Sequence, residues 1–314
     1  MSVPESTYLS PVWRDGIFKD KVVFVTGGAG TICSMQTRAL VRLGANACIL
    51  GRSVDKTEAA ARDIASVRPG AKVIGIGGCD VRKAQSVSEA ASRCARELGG
   101  IDFVIWENSA GAAGNYVAPI EGISPNAFKS VMDIDVLGTF NTVKATVPHL
   151  LGSSTPRIIY VSATFHYTGM PLQSHVSAAK AAVDSLMASV ALEYGPRGFT
   201  SNSIAPGAIE ETEGMARLGS SREAERAAFI KAVPSGRFGT VRDIADATVF
   251  LLSEAGSYVN GQTLIVDGAA WRRQGAIMVG VDNGMEYPDF LLAGETSKHL
   301  KDTRKTETSS KSKL

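Results

Sequence analysis

The chain is sparing with the residues that mark the commonest special-purpose proteins. Its 314 residues include four cysteines and four histidines, 7% are aromatic, and 33 lysines and arginines against 31 acids leave a net charge of only +2. Cys33, Cys48, Cys79 and Cys94 lie in or beside core-like segments without close paired spacing. That suits buried thiols and argues against a disulfide scaffold or a zinc ribbon. His149, His166, His175 and His299 make no metal constellation, so no metal is expected. The charge is too small to call for nucleic acid or a membrane surface as partner. No apolar run approaches the roughly 20 residues of a membrane span, and the first twenty residues carry proline and scattered charge instead of a signal-peptide core. What is present is a 44% hydrophobic content, enough to bury the core of one large α/β domain with extensions.

Apolar strand-like runs alternate with amphipathic helical segments from Val22 to Val266. The alternation predicts a single Rossmann-like, doubly wound parallel sheet of about seven strands with helices on both faces. Strands are expected at Val22 to Thr26, Ala47 to Gly51, Val73 to Ile76, Phe103 to Trp106, Arg157 to Ser162, Thr200 to Ile204 and Thr263 to Val266. Residues 1–20 read as an extension, 21–274 as the Rossmann-like domain, and 275–314 as a second extension with a Lys/Ser/Thr-rich end. The first strand runs into Thr26-Gly27-Gly28-Ala29-Gly30-Thr31-Ile32, where glycines let the backbone turn sharply and approach a ligand. The helix that follows would aim its N–H groups at a pyrophosphate.

That turn resembles the Thr-Gly-x-x-x-Gly-x-Gly of the short-chain dehydrogenase/reductase family, with Thr31 and Cys33 at the last two glycine positions. The resemblance extends from about Lys21 to Trp271. It implies cofactor contacts from Thr26, Gly27, Gly28, Gly30, Thr31 and Ile32. Gly51-Arg52-Ser53 stands after the second strand, where NAD-specific members carry an acid. An acid there would repel a 2'-phosphate, whereas Arg52 can pair with it and Ser53 can hydrogen-bond it, which predicts NADPH. Asp80, with Val81 beside it, resembles the family's contact to adenine. Ala205-Pro206-Gly207-Ala208-Ile209 resembles the turn beside the nicotinamide carboxamide and adds Pro206, Gly207 and Ile209 to the cofactor set.

Two registers fit the stretch after the fourth strand. Asn108 to Gly111 resembles the general family's Asn-Asn-Ala-Gly turn, while Ala112-Ala113-Gly114-Asn115-Tyr116 is similar to the 2,4-dienoyl-CoA reductases of that family. The second match makes Ala112 a cofactor contact, Asn115 and Tyr116 substrate contacts, and Trp106 to Ser109 an insertion. His175 and Arg237 are further substrate candidates.

Ser162 and Lys180 resemble two members of the family's Ser, Tyr-x-x-x-Lys set, but the Tyr position holds Val176. An aliphatic side chain cannot give a proton to a carbonyl oxygen, which argues against ordinary ketone reduction. The 2,4-dienoyl-CoA reductases also lack that Tyr. The resemblance therefore implies NADPH-dependent reduction of a 2,4-dienoyl-CoA to a 3-enoyl-CoA; another acyl-CoA or carbonyl reductase and an idle nucleotide-binding protein are the alternatives. Asp135 stands where the family has an active-site Asn. With Lys180 it is the favoured proton site, directly or through water, ahead of Tyr167 and His166. The final Ser312-Lys313-Leu314 reads as an address for the peroxisomal import receptor, placing the protein in the peroxisomal matrix. The family also implies a homotetramer.

Overall fold

The computed structural model describes residues 3–107, 117–212, 215 and 223–275. Seven strands form one parallel sheet: β1 (Val22–Val25), β2 (Asn46–Leu50), β3 (Val73–Ile76), β4 (Phe103–Trp106), β5 (Arg157–Val161), β6 (Thr200–Pro206) and β7 (Thr263–Val266). Their order is β3-β2-β1-β4-β5-β6-β7, every neighbouring pair is parallel, and β1 lies opposite β2 in the register Val22 to Asn46. The connections are α1 (Thr31–Arg42), α2 (Val54–Ala65), α3 (Ala84–Leu98), α4 (Pro125–Val131), α5 (Gly138–Leu150), α6 (Phe165–Thr168), α7 (Ser174–Tyr194), α8 (Glu223–Ala232) and α9 (Val241–Leu252).

The sequence of β1 shows why helices cover both faces. All four of its residues are buried. Val23 and Val25 join a core with Leu40, Ile64, Ile244 and Val249 from α1, α2 and α9. The alternate residues, Val22 and Phe24, join another core with Val87, Leu150, Val183 and Met187 from α3, α5 and α7. Alternation of side chains across a pleated strand thus feeds two separate cores, as a parallel sheet buried on both sides requires. Truncating a fully buried aromatic such as Phe24 is expected to cost about 3–5 kcal/mol.

The chain divides into two compact units, residues 1–220 with 238–267, and residues 221–237 with 268–314. The first holds the sheet. Its N-terminal segment contributes Tyr8, Leu9 and Phe18 to the core, and Arg42 pairs with Glu5 at 2.7 Å and Asp15 at 2.8 Å. The second holds α8 and a 3-10 turn at Ala270–Gly275, and within it Ser235 N–H donates to the Gly268 carbonyl at 3.2 Å.

Several strand limits shift by a residue or two: β1 ends at Val25, β2 runs Asn46–Leu50 and β5 ends at Val161. β6 continues to Pro206, because a proline at the end of a strand forfeits little pairing. Trp106, the first residue of the stretch read as an insertion, is the last residue of β4 as expected, opposite Tyr160 and 1% exposed, its indole extending the strand's apolar run. Asn108, Ser109, Ala112, Asn115 and Tyr116 lie outside the described residues.

Candidate active site

The strand order reverses between β1 and β4, and the crevice at the carboxyl ends of such strands is where open α/β sheets bind ligands. Gly27 has φ +62°, the left-handed region that favours glycine. A Cβ on Gly28 would come within 2.5 Å of Ile49 Cβ, so the turn can lie against β2 only without a side chain there. Gly30 caps α1 in extended conformation with no side-chain acceptor, which leaves the first N–H groups of α1, at Thr31 and Ile32, for an anion. Thr26 fixes the turn to β4: its hydroxyl donates to the Glu107 carbonyl at 3.2 Å and accepts from Glu107 N–H at 3.3 Å. Cys33, at a family glycine position, is fully buried. A dinucleotide phosphate fits this uncapped helix end.

Around that turn, Arg52 is exposed and has no carboxylate partner among the described residues. The Ser53 hydroxyl caps α2, accepting from Lys56 N–H at 3.4 Å. Asp80 is already engaged by Arg82, whose Nη2 and Nε lie 2.7 and 2.9 Å from its two oxygens, and Arg82 holds its carboxyl below the usual value. The carbonyl of Val81 accepts from buried Asn141 at 2.9 Å. At the end of β6, a Cβ on Gly207 would meet Asp267 Cβ at 2.6 Å, so the turn packs tightly on β7. Ile209, after Pro206 and Gly207, is buried and bridges to Gly239.

Asp135 and Lys180 come together from separate helices. Between α4 and α5 the helix widens into a π turn, Met132–Leu137, which carries Asp135 and is anchored by the Thr139 hydroxyl donating to the Asp135 carbonyl. Such turns often mark functional positions. Lys180 Nζ lies 3.3 Å from Asp135 Oδ2, donates to the Val161 carbonyl at 3.1 Å and sits 5.3 Å over the centre of Trp106. Asp135 Oδ1 is buried without a hydrogen-bond partner among the described residues. Burial raises the Asp135 pKa and Lys180 opposes the rise. Val176 packs with Met132, Ile134 and Val136 against Val131 and Ala179, so the aliphatic residue at the tyrosine position joins α7 to the π turn.

Of the remaining candidates, Ser162 and Tyr167 both approach Asp184. Ser162 is buried at the end of β5. Tyr167 is half exposed, and its hydroxyl donates to Asp184 at 2.8 Å. His175 is fully buried. Arg237 is exposed and belongs to the second unit. Three residues near these were not anticipated from sequence: Glu107, Trp106 and Asp184. Glu107 has its pKa raised by burial, softened by a hydrogen bond with the Cys33 thiol and by Lys180. The signal that could have found it is an acid directly after an otherwise apolar strand.

A glycine turn at the switch point, an uncapped α1 and a buried lysine–carboxylate pair define a nucleotide-dependent oxidoreductase of the doubly wound class. The family model described as Enoyl-(Acyl carrier protein) reductase matches residues 27–269. The chain belongs to the short-chain dehydrogenase/reductase family. It is 49% identical over 288 residues to the peroxisomal 2,4-dienoyl-CoA reductase [(3E)-enoyl-CoA-producing] of Saccharomyces cerevisiae, covering 91% of this chain and 94% of that one. It is 37% identical to the Danio rerio protein of the same description, over 83% and 84% of the two chains. Among solved structures, levodione reductase superposes with a TM-score of 0.75 at 28% identity, covering 81% of this chain and 99% of that one. NAD+-bound xylitol dehydrogenase gives 0.73 at 25% identity, covering 80% and 99%.

Proposed function

We propose that the chain is an NADPH-dependent 2,4-dienoyl-CoA reductase that yields a 3-enoyl-CoA in peroxisomal β-oxidation. The observation that carries this reading is the buried Asp135–Lys180 pair beside a valine in the tyrosine position. The names of the relatives support the substrate class and the compartment. The uncapped start of α1 with Gly27, Gly28 and Gly30 would hold the pyrophosphate, Arg52 the 2'-phosphate, Asp80 and Val81 the adenine, and Lys180 the nicotinamide ribose. Pro206, Gly207 and Ile209 would flank the carboxamide.

NADPH, when bound, supplies the hydride that turns a conjugated dienoyl thioester into a dienolate. Negative charge then resides on the thioester oxygen, and the Lys180 ammonium is the cation available to stabilise it. Carbon 2 must next take a proton. Asp135 is suited to hold that proton because burial disfavours its ionised form and Oδ1 has no hydrogen-bond partner among the described residues, so that it would pair with the substrate or with a water shared with Lys180. A carbonyl reductase protonates oxygen instead, through the hydroxyl that Val176 lacks.

The test is spectrophotometric: purified protein should oxidise NADPH on addition of a 2,4-dienoyl-CoA and leave a simple ketone untouched. Absence of NADPH oxidation by well-folded protein would sink the reading. We further infer a homotetramer and import through Ser312-Lys313-Leu314. Those three residues lie outside the described ones.

A further inference from the structure

One helical turn beyond Lys180, α7 carries a second, partly buried charge, Asp184, to which the proton step assigns no role. Its side chain is 11% exposed and gathers groups from three elements, α6, β6 and β7. Oδ2 accepts from the Tyr167 hydroxyl at 2.8 Å and from the Thr263 hydroxyl on β7 at 3.1 Å, and it lies 3.1 Å from His166 Nε2. Oδ1 accepts from the Ser203 hydroxyl on β6 at 2.8 Å. Burial acts to raise the Asp184 pKa, but its contacts with His166, Ser162, Ser203 and Tyr167 outweigh that and hold it below the ordinary value.

Lys180 and Asp184 are four residues apart and share one helix face. Lys180 grips the carbonyl of Val161, the last residue of β5, and a few residues later Asp184 holds the Tyr167 hydroxyl and lies against His166. The segment leaving β5 beside the reacting centre is therefore fastened to α7 at two points. Ser203 and Thr263 brace the carboxylate from the sheet, so its position does not depend on the helix alone. The rings of His166 and Tyr167 lie 3.9 Å apart, which carries the restraint from one to the other. Tyr167 is thereby half exposed yet held, as a residue lining a substrate groove must be.

We propose that Asp184 is a positioning residue for this reaction: a carboxylate anchor that pins Tyr167, with His166 stacked on its ring, and so sets the wall on which the acyl-CoA lies. The proposal rests on the reading of Asp135 and Lys180 as the proton site, since it assigns the Tyr167 hydroxyl to holding and not to proton transfer.

Asp184→Asn in the full chain keeps the size of the side chain and leaves one acceptor oxygen where three hydroxyls now donate. The expected result is a split: KM for dienoyl-CoA and its calorimetric Kd rise about tenfold, while the single-turnover rate at saturation falls less than about threefold. The Kd for NADPH alone should not move. Tyr167→Phe should also weaken dienoyl-CoA binding, and the double variant should lose no more than the worse single one, because both changes break the same contact. A folded Asp184→Asn with parental Kd for dienoyl-CoA, or fully additive losses, overturns the anchor. If Asp184→Asn does not fold, Thr263→Val and Tyr167→Phe carry the test with the carboxylate intact, and parental Kd in both overturns it equally. A parent protein that binds dienoyl-CoA without oxidising NADPH refutes the assigned reaction and leaves the anchor to be judged by Kd.

Discussion

Replacing Asp135 by Asn gives the sharpest view of the proton step. The carboxyl is 3% exposed, one oxygen faces Lys180 at 3.3 Å and the other has no described partner, so the substitution changes the proton inventory with little change of shape. Lys180 keeps the Val161 carbonyl and the Trp106 face. Losing a general acid commonly slows a reaction by about 10²–10⁴-fold. At ~1.36 kcal/mol per decade the lower bound corresponds to about 2.7 kcal/mol of barrier. The assay is a single-turnover measurement of NADPH absorbance with saturating dienoyl-CoA, beside a separate titration of NADPH binding, which should stay near the parental value. The pH dependence has a definite sign. An acid must be protonated to donate, so the parental rate should fall as pH climbs through the raised Asp135 pKa, and the variant should lack that limb. A variant that turns over within about threefold of the parent, with the limb preserved, would refute Asp135 as donor and direct attention to Tyr167.

Three further outcomes are expected. Arg52→Asp should weaken NADPH binding by about tenfold or more and NADH binding far less, because it removes a charge-assisted contact to the 2'-phosphate; equal losses in titrations with the two nucleotides would remove Arg52 from that role. Glu107 is a partly buried acid whose desolvation raises its folded pKa, so the native state binds more protons than the unfolded chain between the ordinary and the raised value, and stability falls as pH rises through that window. Glu107→Gln should consequently show a flatter Tm against pH and a higher Tm at neutral pH, and an unchanged melting profile would contradict the burial argument. An N-terminally tagged fusion should collect in peroxisomes and turn cytosolic when Ser312 to Leu314 are deleted; identical images from the two forms would make the tripeptide incidental.

The sheet was legible because each strand is an apolar run too short for a buried helix and bounded by polar or glycine residues. Val73–Ile76, Phe103–Trp106 and Thr263–Val266 appear at the expected limits. The approach of Asp135 to Lys180 was legible only through family resemblance, since the two residues are 45 positions apart and no local pattern links them. The π turn was not legible at all: Met132 to Leu137 has ordinary helical composition, and the residue it packs against on α7, Val176, lies some forty positions away. Asp184 also escaped notice. As an acid on a long helix it reads as a solvated residue until Ser203 and Thr263 arrive from strands far along the chain.

The π turn also makes the site sensitive to chain length in a way that side-chain chemistry does not reveal. A π turn accommodates one residue more than regular α-helix over the same path, so the phase of everything on one side of it is shifted by about 100° relative to the other. Deleting a single residue from Met132–Leu137 would let the segment anneal into continuous α-helix, an outcome favourable to the isolated helix. Either the Asp135 carboxyl would then swing off the line to Lys180, or α4 would rotate on its axis and take Val131 out of its contact with Ala179. Helix regularity and the aim of the carboxyl are thus in competition at this point of the fold, and the reactive arrangement depends on the helix keeping its irregularity.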